Sequence, residues 1–181
     1  MSGSISTYLD ALKTKLTEVF AERVDTIDYL LVVDSNKKLD TPAILLEVES
    51  IDEGIDAGDE KTPLSLKVSA FCILSKETTH DACHAEVEII NFAAEVIATI
   101  RNQRWGLTGI GKPTAITSQP ALFNPGKEGD EVWQVSWEQS MDVGTSIWAP
   151  SGTTPSTVFL GRSPDVGTGH EDDYEQIFPP P

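Results

Sequence analysis

The segment HDACH contains the residues best suited to bind a metal ion. His80 and His84 are four positions apart, and Cys83 lies next to the second histidine. This spacing places both imidazoles on one face of a helix, as in some zinc sites. A tetrahedral site needs two further ligands, and the sequence offers no obvious source for them. We therefore expect no metal and no cofactor, with both histidines solvated in the first turn of a helix.

The acidic segment IDEGIDAGDE, residues 51–60, is similar to a calcium-binding loop in composition but not in spacing. Its acids are Asp52, Glu53, Asp56, Asp59 and Glu60. A calcium loop places its ligands at alternate positions and ends on a glutamate at position 12, and this segment does neither. We expect these acids to form an acidic hairpin or lid that faces water.

The sequence also lacks a recognisable catalytic arrangement. GLTGIGKPT has the glycines of a phosphate-binding loop but not the required spacing, and Pro113 stands where Ser or Thr is needed. His170 lies in the acidic stretch GTGHEDDYE, and no serine lies in a nucleophile-elbow motif. We therefore expect that the protein is not an enzyme.

Alternation in EVWQVSWEQSMDVG, residues 131–144, predicts a strand with one apolar face. Trp133, Val135 and Trp137 share that face, and the opposite face carries polar residues such as Glu138. A platform that stacks bases or sugars would have Arg or Lys between the rings, whereas this strand carries acids. Core packing is the favoured interpretation of the tryptophans, and an interface between subunits is the alternative.

The elements that must position these residues follow from periodicity. Apolar residues at helical spacing predict helices over about 5–22 and from Thr78 or Thr79 to about Gln103. Strands are predicted at 26–34, 42–50, 64–75, TAITSQPALF (114–123) and the tryptophan strand, with the first two as neighbours. This order predicts an α+β fold: a mixed or antiparallel sheet covered on one face by two helices.

The chain has 181 residues and a formal net charge of −16. Its length suits one main domain, which we place at residues 1–148. Nucleic-acid binding draws its affinity from Lys and Arg that neutralise phosphates, so the acidic charge excludes specific DNA binding. No stretch approaches the length of apolar sequence that a membrane span needs.

The composition changes after Trp148. Residues 149–181 are rich in Pro, Gly, Ser and Thr, and only TVFL is typical of a strand. We interpret this segment as an extended C-terminal arm that contacts another subunit or a partner. Its apolar anchors would be Phe159, Leu160, Tyr174, Ile177 and Phe178.

Taken together, several weak motifs resemble the small neck proteins of long contractile-tailed bacteriophages, in particular the tail-terminator or tail-completion group. They are the amino-terminal helix, DTPAILLEVESIDEG, PLSLKVSAFCIL followed by a long helix that ends in RWG, and EVWQVSWEQSMDVG with a later Trp. The resemblance covers about residues 5–148 and, more loosely, LGRSPDVGTGHEDDYEQI.

The resemblance implies a structural virion protein that is assembled in the host cytoplasm and located in the tail neck. Such a protein forms a ring, commonly a hexamer, that caps the tail tube and gives the head connector a docking face. The expected partners are copies of itself, the tail tube, the sheath protein and the head-tail connector, with DNA passing without specific binding. The resemblance also implies that the acids of residues 51–60 could line the channel through which the DNA passes.

Two alternatives remain open. The first is another neck protein, a head-tail connector or completion adaptor, which would share this size and acidity. The second is a small enzyme or ligand-binding domain, which would have a concave pocket with convergent titratable groups near His80 or Trp133.

Overall fold

The computed structural model describes residues 4–30, 39–56, 58–75, 82–121, 130–147 and 155–178, without the side chains of 82–84. The chain divides into two compact units, Met1–Ile147 and Trp148–Pro181. The amino-terminal unit contains two helices and a five-stranded sheet: α1 (Ile5–Phe20), β1 (Thr26–Tyr29), β2 (Ala43–Glu53), β3 (Thr62–Ser75), α2 (Ala82–Ile100), β4 (Thr114–Pro120) and β5 (Asp130–Val143).

Helix α1 follows the pattern of its sequence. Ser4 caps the helix, since its side chain accepts a hydrogen bond of 3.2 Å from the Thr7 N–H. Apolar residues at every fourth position then form one buried stripe: Tyr8, Leu12, Leu16 and Phe20. The helix ends at Phe20 rather than at residue 22, and the chain continues in a turn.

Helix α2 ends at Ile100, three residues before the expected end. Two residues soon after it, Asn102 (φ 66°) and Trp105 (φ 55°), adopt the left-handed backbone conformation that cannot continue an α-helix. The expected caps, Thr78 and Thr79, and the histidine His80 lie outside the described residues.

The strands form one mixed sheet in the order β1-β2-β3-β5-β4. β1 and β2 are neighbours, as the sequence predicts, and they run parallel. All other pairs are antiparallel, with β3 and β5 paired along their full length from Thr62↔Val143 to Ser75↔Asp130. The α+β fold predicted from the sequence is confirmed.

The main core lies between the sheet and the two helices. Even-numbered residues of β3, among them Val68 and Cys72, pack there with Val135 and Trp137 of β5 and with the buried stripes of both helices. A second, smaller cluster lies on the opposite face of the sheet and consists of Ala43, Leu45, Ile73 and Val132. Because β2 begins with residues buried on both faces, its sequence starts as a continuous apolar run, AILL.

The carboxy-terminal unit contains a two-stranded antiparallel sheet and a short 3₁₀ helix: β6 (Val158–Leu160), Glu171–Asp173 and β7 (Glu175–Phe178). None of its described residues, 155–178, is buried. The only strand-like segment predicted from the sequence here, TVFL, contains β6, while β7 was not predicted.

Candidate functional site

Exposed apolar side chains on β6 and β7 are the main candidate for a binding surface. Phe159 is 54% exposed and Phe178 is 50% exposed, and Leu160 and Ile177 are exposed to a similar degree. A two-stranded hairpin is marginally stable in water unless its apolar side chains pack against something else. We name these exposed apolar residues, Val158, Phe159, Leu160, Ile177 and Phe178, the hairpin patch.

Tyr174 differs from the other four predicted anchors of the arm, because it is partly buried within its own unit. Its hydroxyl accepts a hydrogen bond of 2.8 Å from the Gly167 N–H. Its ring lies so close to Gly161 that a Cβ there would be 2.7 Å from it. Tyr174 therefore holds two segments of the unit together and also lines a hollow of about 380 Å³ with Phe159 and Glu171.

Residues of the tryptophan strand lie in or beside the main core. Val135 and Trp137 are buried, and Trp133 is partly buried and packs against the cluster. The Trp137 indole N–H lies 3.3 Å from both the Tyr8 hydroxyl and Gln139 Oε1. These contacts give the strand a packing role within the subunit.

The sequence analysis missed Gln139, a buried amide on the apolar face of β5. Its Oε1 accepts hydrogen bonds from Tyr8 and Trp105, both at 3.0 Å. Its Nε2 donates to two backbone carbonyls, at 2.8 Å to Gly111 and at 3.3 Å to Gln103. Gln139 thus ties α1 and the segment after α2 to the sheet. Only its position in the alternation of β5 could have indicated its burial.

Five polar residues come together on the face of the sheet that the helices do not cover. We name Glu49, Lys67, Ser69, Gln134 and Ser136 the polar cluster. Glu49 lies at a bulge in β2, between Val48 and Ser50, and strand alternation from Ala43 and Leu45 places it on this face. Glu49 accepts hydrogen bonds from Ser69 and, at 2.5 Å, from the Gln134 amide, and it forms an ion pair of 2.6 Å with Lys67.

The polar cluster has a serine next to a carboxylate but lacks the properties of a nucleophilic site. The hydrogen bond from Lys67, followed by that from Ser69, lowers the pKa of Glu49, which makes this carboxylate a poor base. Ser69 is fully buried, and the hydroxyls of Ser69 and Ser136 lie 2.8 Å apart. We conclude that these groups satisfy one another's hydrogen bonds and hold β2, β3 and β5 in register. The spacing of these residues in the sequence gave no signal that they would meet.

Most acids of the segment 51–60 are exposed: Asp52 and Glu53 at the end of β2, and Asp56 and Glu60 in the turn between β2 and β3. Asp59 is the exception, because it pairs with Lys61 at 2.9 Å and its carbonyl accepts a hydrogen bond from the Ile147 N–H. Asp56 accepts a hydrogen bond of 2.7 Å from the Gly58 N–H. Among these acids Ile55 is 95% exposed. Residues 51–53 thus extend β2, and residues 54–60 form a turn that faces solvent, with Ala57 outside the described residues.

Possible metal ligands and thiols form no site in the part of the chain that the structure describes. No group of three or more His, Cys, Asp and Glu side chains is placed there to hold an ion. His84 and Cys83 lie in α2, but their side chains are outside the described set. His170 lies 3.1 Å from Asp173, and burial raises the pKa of the Cys72 thiol to about 12.

An open groove of about 420 Å³ lies between the end of α1 and the middle of α2. Phe20 and Phe92 form its apolar floor and meet edge to face at 5.8 Å. An ion pair of 2.6 Å between Arg23 and Glu95 lies at its rim. The groove offers no convergent set of titratable groups like that of an active site.

No described helix has the length and hydropathy that crossing a membrane requires. The sequence matches no protein-family model and no curated protein.

Proposed function

We propose that this chain is a structural virion protein, a tail terminator that forms a ring, caps the tail tube and gives the head connector a docking face. The observation that carries the proposal is the hairpin patch. It consists of exposed apolar residues on a unit whose described residues include none that is buried. Such a surface is typical of a protein that works by contact with other chains.

The family resemblance gives the proposal its specific form. It connects the amino-terminal helix, the strand PLSLKVSAFCIL and the tryptophan strand with tail terminators. A closed ring uses one heterologous contact at every subunit boundary, and a carboxy-terminal segment that reaches a neighbour adds contact area to a domain of this size. The partners in the proposal are further copies of the chain, the tail tube, the sheath protein and the head connector.

The acidic charge supports a particular mode of assembly. Chains of net charge −16 repel one another in dilute solution. Because salt screens this repulsion, self-association should increase with ionic strength. We therefore propose that the protein is monomeric when dilute and forms its ring on the end of the tail tube, while DNA passes the acidic surface without specific binding.

Deletion of the protein from the producing phage tests the proposal. Without a terminator, tail tubes should exceed their normal length or remain unattached to filled heads. Tails of normal length that fail to join heads would instead indicate a head-completion adaptor. Normal tails joined to heads would contradict both assignments.

A further inference from the structure

Strand β4 is an edge strand without charged side chains. It lies at one end of the sheet, and within the described ranges no strand pairs with its outer side. All residues from Thr114 to Ala121 are uncharged. Soluble proteins protect such an edge with charges, bulges or proline. In β4 a bulge lies near Ala115 and a proline, Pro120, lies at the end of the strand. The stretch between them, residues 116–119, has none of these devices and is the part of the edge that is open to another strand.

Backbone groups of β4 point in two directions. The Ala121 N–H points to β5, since it donates a hydrogen bond of 3.0 Å to the Val132 carbonyl. In an antiparallel pair this direction alternates, so Gln119 also faces β5 and Ser118 faces outward. Pro120, which has no N–H, occupies an outward position as well, as edge prolines do. An incoming strand would meet the N–H and C=O of Ser118 and the C=O of Pro120.

The side chain of Ser118 gives an independent indication that this edge lacks a neighbour. Its Oγ is buried but has no hydrogen-bond partner among the described residues. Ser118 pairs across the sheet with Val135, so its side chain lies on the helix-covered face. A strand added beside β4 would bring polar backbone groups next to this hydroxyl.

Strand β6 is suited to pair with this edge, because it is uncharged and its apolar side chains are exposed. Residues 156–161, STVFLG, are uncharged, whereas β7 contains Glu175. β6 pairs only with β7 among the described strands, and Val158, Phe159 and Leu160 are all exposed. In a chain of net charge −16, two neutral segments can meet without the repulsion that any acidic segment would cause.

We propose that β6 of one copy pairs with the outer edge of β4 in a second copy and extends its sheet. The occupant is a second copy because both segments are uncharged in a chain of net charge −16, and because the proposed ring needs one contact between neighbouring copies at every boundary. The contact is heterologous, so its repetition can close a ring. This inference rests on the proposed function, since it names the contact through which the ring would form.

Cross-linking between two distinguishable full-length chains tests the contact. Both chains carry Cys83→Ser, which removes one of the two native cysteines. The first chain also carries Gln119→Cys, in β4 beside Ser118. The second chain instead carries Thr157→Cys, immediately before β6. The chains are mixed at high protein concentration and high salt with a short bis-maleimide. The native Cys72 is buried and does not compete. We expect a covalent heterodimer, and far less of it when Thr168→Cys replaces Thr157→Cys as the control.

A second pair of variants tests the edge itself. Ser118→Pro removes an outward N–H that the monomer does not use, while Ser118→Ala keeps it. With thermal melting near that of the parent chain, Ser118→Pro should reduce the heterodimer about tenfold and Ser118→Ala should not. If Ser118→Pro unfolds the chain, a further pair of variants tests the contact from β6. Phe159→Asp places a charge in β6 and should reduce the heterodimer, whereas Val166→Asp, which places the same charge outside β6, should not.

Two results would overturn the inference. One is a heterodimer yield no higher with Thr157→Cys than with Thr168→Cys. The other is a chain with both Gln119→Cys and Thr157→Cys that gives only cross-linked monomer, which would show that β6 pairs within its own chain. Neither result decides whether the protein ends tails, because the deletion phenotype is measured separately in the phage.

Discussion

The hydroxyl of Tyr8 in the first turns of α1 donates a hydrogen bond of 3.0 Å to the side-chain carbonyl of Gln139 in β5, 131 positions later in the chain. Trp105 and Trp137 donate to the same oxygen. Burial raises the pKa of Tyr8, so its hydroxyl stays protonated and remains a donor. This one amide oxygen thus joins three separate parts of the amino-terminal unit: α1, the segment after α2, and β5.

Replacement of Gln139 by leucine should destabilise the fold strongly. Gln139→Leu leaves the Tyr8 hydroxyl and the Trp105 indole N–H without an acceptor, and it leaves the carbonyls of Gln103 and Gly111 without their donor. The Trp137 N–H keeps the Tyr8 hydroxyl as a partner. We expect a loss of about 3 kcal/mol or more in the free energy of unfolding, measured by urea denaturation. Gln119→Leu on exposed β4 is the control and should change stability little. Equal stability of the two variants would contradict the central role of the network.

The two tryptophans of β5 should differ in their contribution. Trp137→Ala removes a buried ring and should cost about 3 to 5 kcal/mol. Trp133→Ala should cost less, because Trp133 is only partly buried at the border of the core. Thermal melting of the two variants measures the difference. Parent-like melting of Trp133→Ala together with lost self-association would place Trp133 in a subunit interface.

Glu49 should make stability depend on pH. The hydrogen bond from Lys67, followed by that from Ser69, lowers the folded-state pKa of Glu49. Ionised Glu49 therefore contributes to the free energy of unfolding above its unfolded-state pKa of about 4.3. This contribution is lost as the pH falls through the folded-state pKa. The parent chain should therefore be more stable than Glu49→Gln at pH 7, and the difference should shrink on acidification below about pH 4.3. Glu22→Gln, on an exposed turn, provides a control for the loss of one charge. A difference that does not change between pH 7 and pH 3 would refute this role.

Removal of the carboxy-terminal unit should separate folding from assembly. A chain that ends at Pro150 keeps both clusters of buried residues, so it should unfold cooperatively at a temperature near that of the full chain. It should also lose the self-association that we expect high salt to promote in the full chain. Circular dichroism and sedimentation velocity measure the two properties. A truncated chain that does not fold would show that residues 151–181 belong to the core.

Chelation should leave the protein unchanged. His80 and His84 have no third ligand that the sequence identifies, so EDTA should not shift the melting temperature of the purified protein. Elemental analysis should find no stoichiometric zinc. Stoichiometric zinc together with unfolding on chelation would overturn the prediction.

Local periodicity in the sequence was sufficient to predict most elements and their buried faces. The stripe from Tyr8 to Phe20 and the alternation of Val135 and Trp137 depend only on the geometry of a helix and a strand, and burial of apolar surface selects one face. The ends of the elements were predicted less accurately. Periodicity does not show where the chain turns, as it does at Asn102 after α2 and after Tyr29 at the end of β1.

Only the tertiary structure decided the direction of each strand pairing and the order of the strands beyond β1 and β2. Nothing local in the sequence states that β1 and β2 are parallel or that β5 lies between β3 and β4, since strand order depends on how all the faces are buried together. That order places Glu49 beside Gln134, 85 positions away, makes an edge of uncharged β4, and surrounds Gln139 with three donors. Periodicity determines which side of an element is buried, whereas the partner of each polar group on that side depends on long-range packing.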